Sequence, residues 1–282
     1  MQLFSQPPYK GSRAMLRING TWITSRYKKE IYRARRAGPI KTFSMEKYKW
    51  TSEVYDSIYW TSVGAVRAKL THTKKMQTCK IMHGWLPVGH MRRHITGMNQ
   101  CPGCNCTDET IRHVTQCPHE KMQAKRKVIF DVVRKVGKKG KVPIAILDAF
   151  CHVVKTELEG KGRFILPGHK GSISKAIQQQ EQIGFNMMIR GFLAQGWMEA
   201  LIEAKVDNPE RRMNTLQRMV WEVVVDPLWQ TRNNILHEDK NKYNTAENEK
   251  LTAKLVWYEE HKEELLSGYD QHLASMDINR IH

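Results

Sequence analysis

The chain has few acidic side chains, no long apolar run and none of the common nucleotide-enzyme motifs. Its 282 residues include 28 Asp and Glu against 46 Lys and Arg, which gives a formal net charge of +18. No stretch approaches the roughly 18 apolar residues of a membrane-spanning helix, and the first residues lack the apolar core of a signal peptide. We therefore expect an intracellular protein, nuclear or cytoplasmic, with no membrane partner.

Three catalytic motifs are missing. The sequence contains no adjacent pair of aspartates, no G-x-x-x-x-G-K phosphate loop and no G-x-G-x-x-G dinucleotide turn. Polymerases, NTPases and dehydrogenases depend on such motifs, and no carboxylates show the metal-binding spacing of a nuclease. The segment Gly137-Lys138-Lys139-Gly140 resembles a phosphate loop in composition only. We expect no catalytic residues and no enzymatic activity.

The excess of positive charge favours a polyanionic partner, and nucleic acid is the obvious one. The first 49 residues carry twelve Lys and Arg against Glu30 and Glu46, and a second basic segment covers residues 121–141. RNA and DNA both remain open, and any single basic side chain could instead be a solvated surface charge. The residues predicted to contact phosphate are Arg33, Arg35, Arg36, Lys80, Arg92, Arg93, Lys125, Arg126 and Lys127.

Apolar side chains recur mostly at helical spacing, so we predict a mainly α-helical protein. A short N-terminal hairpin is predicted around Asn19-Gly20, because Asn-Gly accepts the positive φ angles of a tight turn. The break at Asp207-Asn208-Pro209 separates two C-terminal helices. The predicted helices are 50–70 (one helix or two abutting ones), 121–137 ending at Gly137, 144–158, 183–202, 213–224 and 247–266.

The same pattern suggests a division of the chain. A glycine-containing loop at residues 160–171 is predicted to separate two helical parts. We predict a basic N-terminal arm over residues 1–49, a helical zinc-binding domain over 50–159, a linker loop over 160–171 and a helical C-terminal domain over 172–282.

Cysteine and histidine cluster in the middle of the chain. Cys101-Pro-Gly-Cys104 presents two thiols on a tight turn, and after eight intervening residues His113 and Cys117 follow at a spacing of four. Residues four apart lie on the same face of a helix. Three thiols and one imidazole leave no open position, which is typical of a structural zinc site. The sequence thus predicts one Zn²⁺, bound by Cys101, Cys104, His113 and Cys117 in a small zinc-stapled turn.

Other cysteines and histidines lie close to this quartet. Cys106 and His119 each lie two residues beyond a predicted ligand, so either could replace its neighbour. His90 and His94 are also four apart, but the glutamate of a zinc-protease helix is missing between them. We assign His90 and His94 to a basic nucleic-acid-binding or solvent-exposed face.

The zinc cluster and its surroundings resemble the zinc-binding region that follows the polymerase in reverse transcriptases of non-LTR retroelements. The resemblance covers about residues 40 to 270. The polymerase and ribonuclease H domains of that family have no counterpart in this sequence. The residues that carry it are Trp50 to Trp60, Lys80, Trp85-Leu86-Pro87, Cys101, Cys104, Glu109-Thr110, His113-Val114, Cys117-Pro118, Gln182-Ile183-Gly184, Gly191-Phe192, Trp197, Trp229, Arg232-Asn233 and Leu236-His237.

The resemblance implies a non-catalytic, zinc-stabilised segment that grips template RNA or target DNA, with a retroelement polymerase as a further partner. The competing hypothesis is a helical interaction module that docks on a polymerase or a host factor.

Overall fold

The computed structural model describes residues 16–18, 20–96, 99–160, 171–238 and 251–261. In these ranges the chain is mainly α-helical, and its one sheet is a two-stranded hairpin. The predicted fold class is therefore confirmed. The predicted linker falls largely on residues 161–170, which lie outside the described residues, and the division into domains stays a prediction.

The N-terminal hairpin forms where the sequence places it. Strands β1 (Leu16–Ile18) and β2 (Thr21–Ile23) pair antiparallel, with Leu16 opposite Ile23. Gly20 has a φ of 80°, which only glycine adopts without strain. Most of the described part of the predicted basic arm is a helix that the sequence did not predict, α1 (Tyr27–Tyr48).

Short helices follow α1, and the alternative of two abutting helices from residue 50 is correct. Three of them begin with a threonine whose hydroxyl accepts a backbone N–H: Thr51 caps α2, Thr71 caps α4 and Thr110 caps α6. The bounds are α2 (Ser52–Asp56), α3 (Trp60–Ala68), α4 (His72–His83), α5 (Gly89–Thr96) and α6 (Ile111–Gln116).

Two long helices pack against each other in the centre of the chain, α7 (Glu120–Lys139) and α8 (Ile144–Glu159). The prediction that the first ends at Gly137 is wrong, since Gly137 lies inside α7. A Cβ on Gly137 would lie 2.3 Å from Leu147 Cδ1, so this glycine serves the close approach of the two helices. Val128 and Val132 of α7 are exposed whereas Ile129 and Val133 are buried, so the apolar side chains of this helix are only partly covered.

The predicted helix over residues 183–202 is divided in the structure. Gly184 and Gly191 both have φ near 100°, which interrupts helical geometry. A Cβ on Gly191 would collide with the indole of Trp221, whose Nε1 donates to Arg190 O at 3.1 Å. The three helices are α9 (Gly171–Ile183), α10 (Phe185–Ile189) and α11 (Gln195–Glu203).

One continuous helical stretch runs from residue 209 to residue 238. The predicted break falls at Asp207-Asn208, but the helix begins at Pro209 rather than at the predicted residue 213 and continues beyond the predicted end at residue 224. The side chain of Asn208 accepts the N–H of Arg211, and Pro209 lies in the first turn of this helical stretch. Its middle is a π-helix ahead of Pro227, whose ring would clash with the preceding turn of an α-helix. The segments are α12 (Pro209–Arg218), the π-helix (Met219–Val225) and α13 (Asp226–Glu238).

Residues 251–260 form the last of the described helices, α14, and residue 261 is a turn, while residues 247–250 and 262–266 of the predicted helix lie outside the described residues. Large side chains of α8 to α11 and the π-helix fill the core, where Phe150, Trp197 and Trp221 are buried. Helix α6, which carries His113, packs on α8 and α13. The predicted metal site is therefore held against the helical core through α6.

Candidate metal centre

The four predicted ligands converge. One ligand atom from each of Cys101, Cys104, His113 and Cys117 lies within 4.8 Å of the other three. Cys101 Sγ is 3.6 Å from Cys117 Sγ, and Cys104 Sγ is 3.2 Å from His113 Nε2. Zinc–sulfur bonds of about 2.3 Å in a tetrahedron put the sulfurs about 3.8 Å apart. The cluster is thus of the right size and donor type to hold one metal ion.

The first two ligands come from a hydrogen-bonded turn. Asn105 N donates to Cys101 O at 2.9 Å, and Cys101 N donates to Cys106 O at 2.9 Å. The Cys117 thiol and, more weakly, the N–H groups of Gly103 and Cys104 hydrogen-bond to Cys101 and lower its pKa to about 4. The pKa of Cys117 is raised in turn by the shared proton and by burial. A bound cation would replace this shared proton.

Helix α6 and the residue directly after it supply the other two ligands. Thr110 Oγ1 accepts the N–H of His113 at 3.1 Å and so fixes the first turn of the helix. Ile111 and Val114 are buried on one face, while His113 faces the cysteines. Cys117 follows at the end of α6 in a non-helical conformation, φ −50° and ψ 130°. The predicted spacing of four therefore works across a helix end.

The alternative ligands lie outside the cluster. Cys106 is exposed and its thiol donates to Thr107 O at 3.4 Å. His119 accepts the N–H of Lys121 through Nδ1, and its ring lies against Gly103. The described Cys, His, Asp and Glu residues form one group able to hold a metal, and it contains neither Cys106 nor His119.

The other histidine pair makes no metal group among the described residues. His90 Nδ1 contacts the carboxylate of Asp108. The side chain of His94 lies outside the described residues.

Arg126 of α7 braces the site. Its Nη1 donates to Thr115 O at 3.1 Å and its Nη2 donates to Cys117 O at 2.9 Å. Burial lowers the pKa of Arg126 from its usual value, and the nearby Cys117 opposes this shift. The guanidinium that the sequence analysis assigned to phosphate contact is therefore engaged with backbone carbonyls beside the metal ligands.

A buried ion pair joins the metal site to the C-terminal helices, and the sequence analysis missed it. Arg232 of α13 donates to Glu109 through Nε at 2.9 Å and through Nη2 at 2.6 Å. Glu109 is 0% exposed and also accepts the N–H of Gly89 at 2.7 Å. Two elements of the family resemblance, Glu109-Thr110 and Trp229-x-x-Arg232, are thus partners in space. Nothing in the local sequence marks Glu109, whose neighbours Thr107 and Asp108 are exposed.

A second tie joins α6 to α8. Gln116 Nε2 donates to Glu157 O at 2.7 Å, and Arg112 Nε donates to Glu157 Oε1 at 3.1 Å. Burial raises the pKa of Glu157, against the opposing effect of Arg112. The metal-binding segment is therefore attached to both neighbouring helices by charge as well as by packing.

The residues predicted to contact phosphate lie on four helices. Arg35 and Arg36 are exposed on α1, and Arg36 lies 4.8 Å from the ring centre of Tyr32. The side chain of Arg33 lies outside the described residues. Lys80 on α4, Arg93 on α5 and Lys127 on α7 are exposed, whereas Arg92 and Lys125 are half-buried.

Comparisons with protein-family models, with curated proteins and with solved structures find no match for this chain. Among the described residues, no helix combines the length and apolar character that crossing a bilayer demands.

Proposed function

We propose that this protein is a zinc-stabilised, non-catalytic nucleic-acid-binding protein. The observation that carries the proposal is the Cys3His cluster within a chain of net charge +18, five of whose nine predicted phosphate-contact side chains are exposed. A metal would fix the turn between two basic stretches, and the exposed cations would contact the phosphates of a strand.

Zinc is the metal that we propose. Thiolates and imidazole are soft or borderline donors, and a tetrahedral set of this kind selects Zn²⁺ over Mg²⁺ or Ca²⁺, which prefer oxygen. All four donors come from protein, so the site has a structural role and gives no open position to a substrate.

The family resemblance supports the same assignment. The proposed partner is template RNA or target DNA, and the proposed setting is a retroelement polymerase that acts with this chain. The pairing of Glu109 with Arg232 brings together two separate stretches of that resemblance.

The experiment is a salt titration of binding by the zinc-loaded chain to unrelated RNA and DNA oligonucleotides. Each neutralised phosphate releases counterions, so several contacts should reduce the affinity roughly a thousandfold or more between about 50 and 200 mM salt. The variant Lys125→Ala/Lys127→Ala should flatten the slope of log affinity against log salt by about one to two. It spares Arg126, which holds the carbonyl of Cys117.

The matched control is Lys254→Ala on α14, where the lysine is exposed and α14 also carries Glu259 and Glu260. This variant should keep the wild-type slope. Undetectable binding at low salt, or an unchanged slope in the Lys125/Lys127 variant, would contradict the proposal.

A second candidate is a protein-interaction module, and α14 favours it. Apolar side chains of this helix are about half exposed: Leu251, Leu255, Val256, Trp257 and Tyr258. Such a surface is suited to docking on a polymerase or host factor. A pull-down after nuclease treatment distinguishes the candidates, because only this module retains its partner without nucleic acid.

A further inference from the structure

A large basic cleft lies away from the metal site, between α3, the end of α7, α12 and the π-helix. Its volume is about 1180 Å³. This exceeds the roughly 300–1,000 Å³ of most small-molecule sites. The basic residues that line it are Lys69, Lys139, Lys141, Arg211, Arg212 and Arg218, and the acidic ones are Asp207, Glu210 and Glu222.

Arg212 is the unusual member of this cleft. It is 6% exposed, and its Nε is buried without a hydrogen-bond acceptor. A buried guanidinium costs several kcal/mol unless an anion or hydrogen-bond acceptors compensate its charge. The other buried arginine at this level of exposure, Arg232, has the carboxylate of Glu109 as its partner. Arg212 has no ion pair among the described residues, so its positive charge is not compensated by a carboxylate there. An anion bound in the cleft would compensate it.

The acidic residues of the cleft do not supply that anion. Glu222 is bound by Arg218, whose Nη2 lies 2.8 Å from Glu222 Oε2. Glu210 is exposed. Burial raises the pKa of Tyr59, and the negative charge of Glu210 raises it further. Asp207 is exposed at the start of the turn before α12. The net charge of the lining stays positive.

The rim is basic because α7 ends close to α12. A Cβ on Gly140 would lie 2.6 Å from Thr215 Cγ2, so glycine at this position permits the close contact. It places the exposed Lys139 and Lys141 on either side of the contact. Lys139, which belongs to the segment that resembles a phosphate loop in composition only, thus lines a cleft with a buried arginine, and Lys141 lies directly after that segment.

We propose that this cleft binds the phosphodiester backbone of a nucleic-acid strand, with one phosphate paired to Arg212 and neighbouring phosphates to Lys139 and Lys141. The inference rests on the proposed nucleic-acid-binding function and assigns it a site that the sequence analysis did not. Guanidinium binds phosphate by charge-assisted, often bidentate hydrogen bonds. The cleft is too large for one phosphate ion and is open to solvent at its lysines, which suits a polymer.

The test compares full-length, zinc-loaded variants in salt titrations with a single-stranded oligonucleotide of about 20 nucleotides. Arg212→Met removes the charge and keeps the length of the side chain. We expect it to lower affinity about tenfold at about 100 mM salt and to flatten the log–log slope by about 0.7. Lys139→Gln/Lys141→Gln should flatten the slope by about 1.4, and the control Lys254→Gln should match the wild type.

The outcomes separate the two claims. If the wild type binds the oligonucleotide but both cleft variants keep its affinity and slope, the cleft proposal is overturned while the proposed function stands. If Arg212→Met loses its helical circular dichroism signal or its zinc, the variant is misfolded. The test of the cleft then rests on the Lys139→Gln/Lys141→Gln variant, whose side chains are exposed. No binding by the wild type overturns both claims.

Pyrophosphate serves as the competitor. We expect pyrophosphate to displace the oligonucleotide from the wild type and to displace it less effectively from Arg212→Met. This result would support a phosphate site that both ligands share. Arg212-dependent binding of pyrophosphate that leaves the oligonucleotide bound would assign the cleft to a free anion and overturn the proposal.

Discussion

At the residue scale, the Glu109 carboxylate is the most constrained charge near the metal site. It is fully buried and is compensated by Arg232 and the N–H of Gly89. Arg232→Met would leave it buried without a counter-charge, so we expect a loss of about 3–5 kcal/mol in the free energy of unfolding. Urea denaturation measures the loss.

The matched control for that variant is Arg218→Met. Arg218 also forms an ion pair with a glutamate, but its side chain is 61% exposed. Exposed pairs contribute only about 0–1 kcal/mol. Equal losses in the two variants would show that Glu109 has another means of stabilisation.

Cysteine reactivity provides a second test at this scale. Cys106 is exposed, whereas burial raises the pKa of Cys151 to about 11, so its thiol stays protonated at neutral pH. In the zinc-loaded protein we expect iodoacetamide to modify Cys106 first and to leave Cys151, Cys101 and Cys117 intact, as read by peptide mass spectrometry. Modification of Cys101 ahead of Cys106 would contradict the ligand assignment.

At the scale of elements, the contact between α7 and α8 depends on a glycine. A methyl group at Gly137 would meet Leu147 at 2.3 Å. We expect Gly137→Ala to cost about 1–3 kcal/mol of stability in thermal or urea unfolding, because a packed core resists added volume. Gly64→Ala on α3 is the control, since no atom beyond its adjacent residues and the backbone of its own helix lies within 4 Å of its Cβ position. It should gain up to about 1 kcal/mol from the better helix former, and a loss there like that at Gly137 would contradict the argument.

The metal-binding segment is a second element with its own prediction. Cys104→Ser should lose the single zinc and increase hydrogen exchange in α5 and α6, because a short, loop-rich segment takes much of its folding free energy from the metal. Helix α8, whose Phe150 is buried in the core, should keep its protection. Cys106→Ser is the control and should retain zinc by elemental analysis. Zinc retained in Cys104→Ser would refute the quartet.

The sequence predicted the parts of the structure that depend on near neighbours. The hairpin follows from Asn19-Gly20, and the quartet lies within 17 residues with a recognisable spacing. The helix end predicted at Gly137 was wrong, because a glycine after an apolar pattern commonly ends a helix. Here the glycine instead allows close packing against Leu147, a contact that only the structure shows. The pairs of Arg126 and Arg232 were out of reach, since nothing local distinguishes a basic residue that meets carbonyls or a buried carboxylate from one that meets solvent.

At the scale of the whole molecule, the proposed role is binding without catalysis. The sequence holds no adjacent aspartates that could bind the metal ions of a polymerase. We expect the purified chain to show neither template-directed nucleotide incorporation nor ribonuclease H activity while it binds the same substrates in a gel shift. Incorporation by the isolated chain, above that of a Cys104→Ser preparation purified in parallel, would overturn this expectation.

The ion pair of Glu109 and Arg232 also sets an order of events during synthesis. Its two residues are 123 positions apart, whereas all four candidate metal ligands have been synthesised once the chain reaches residue 117. At about 5–20 residues per second, the ribosome adds Arg232 roughly 6–25 s after Glu109. The nascent chain can therefore take up its metal early, with Glu109 still hydrated. The burial of that carboxylate, and with it the docking of α13, is a late step that a chain stalled before residue 232 never completes.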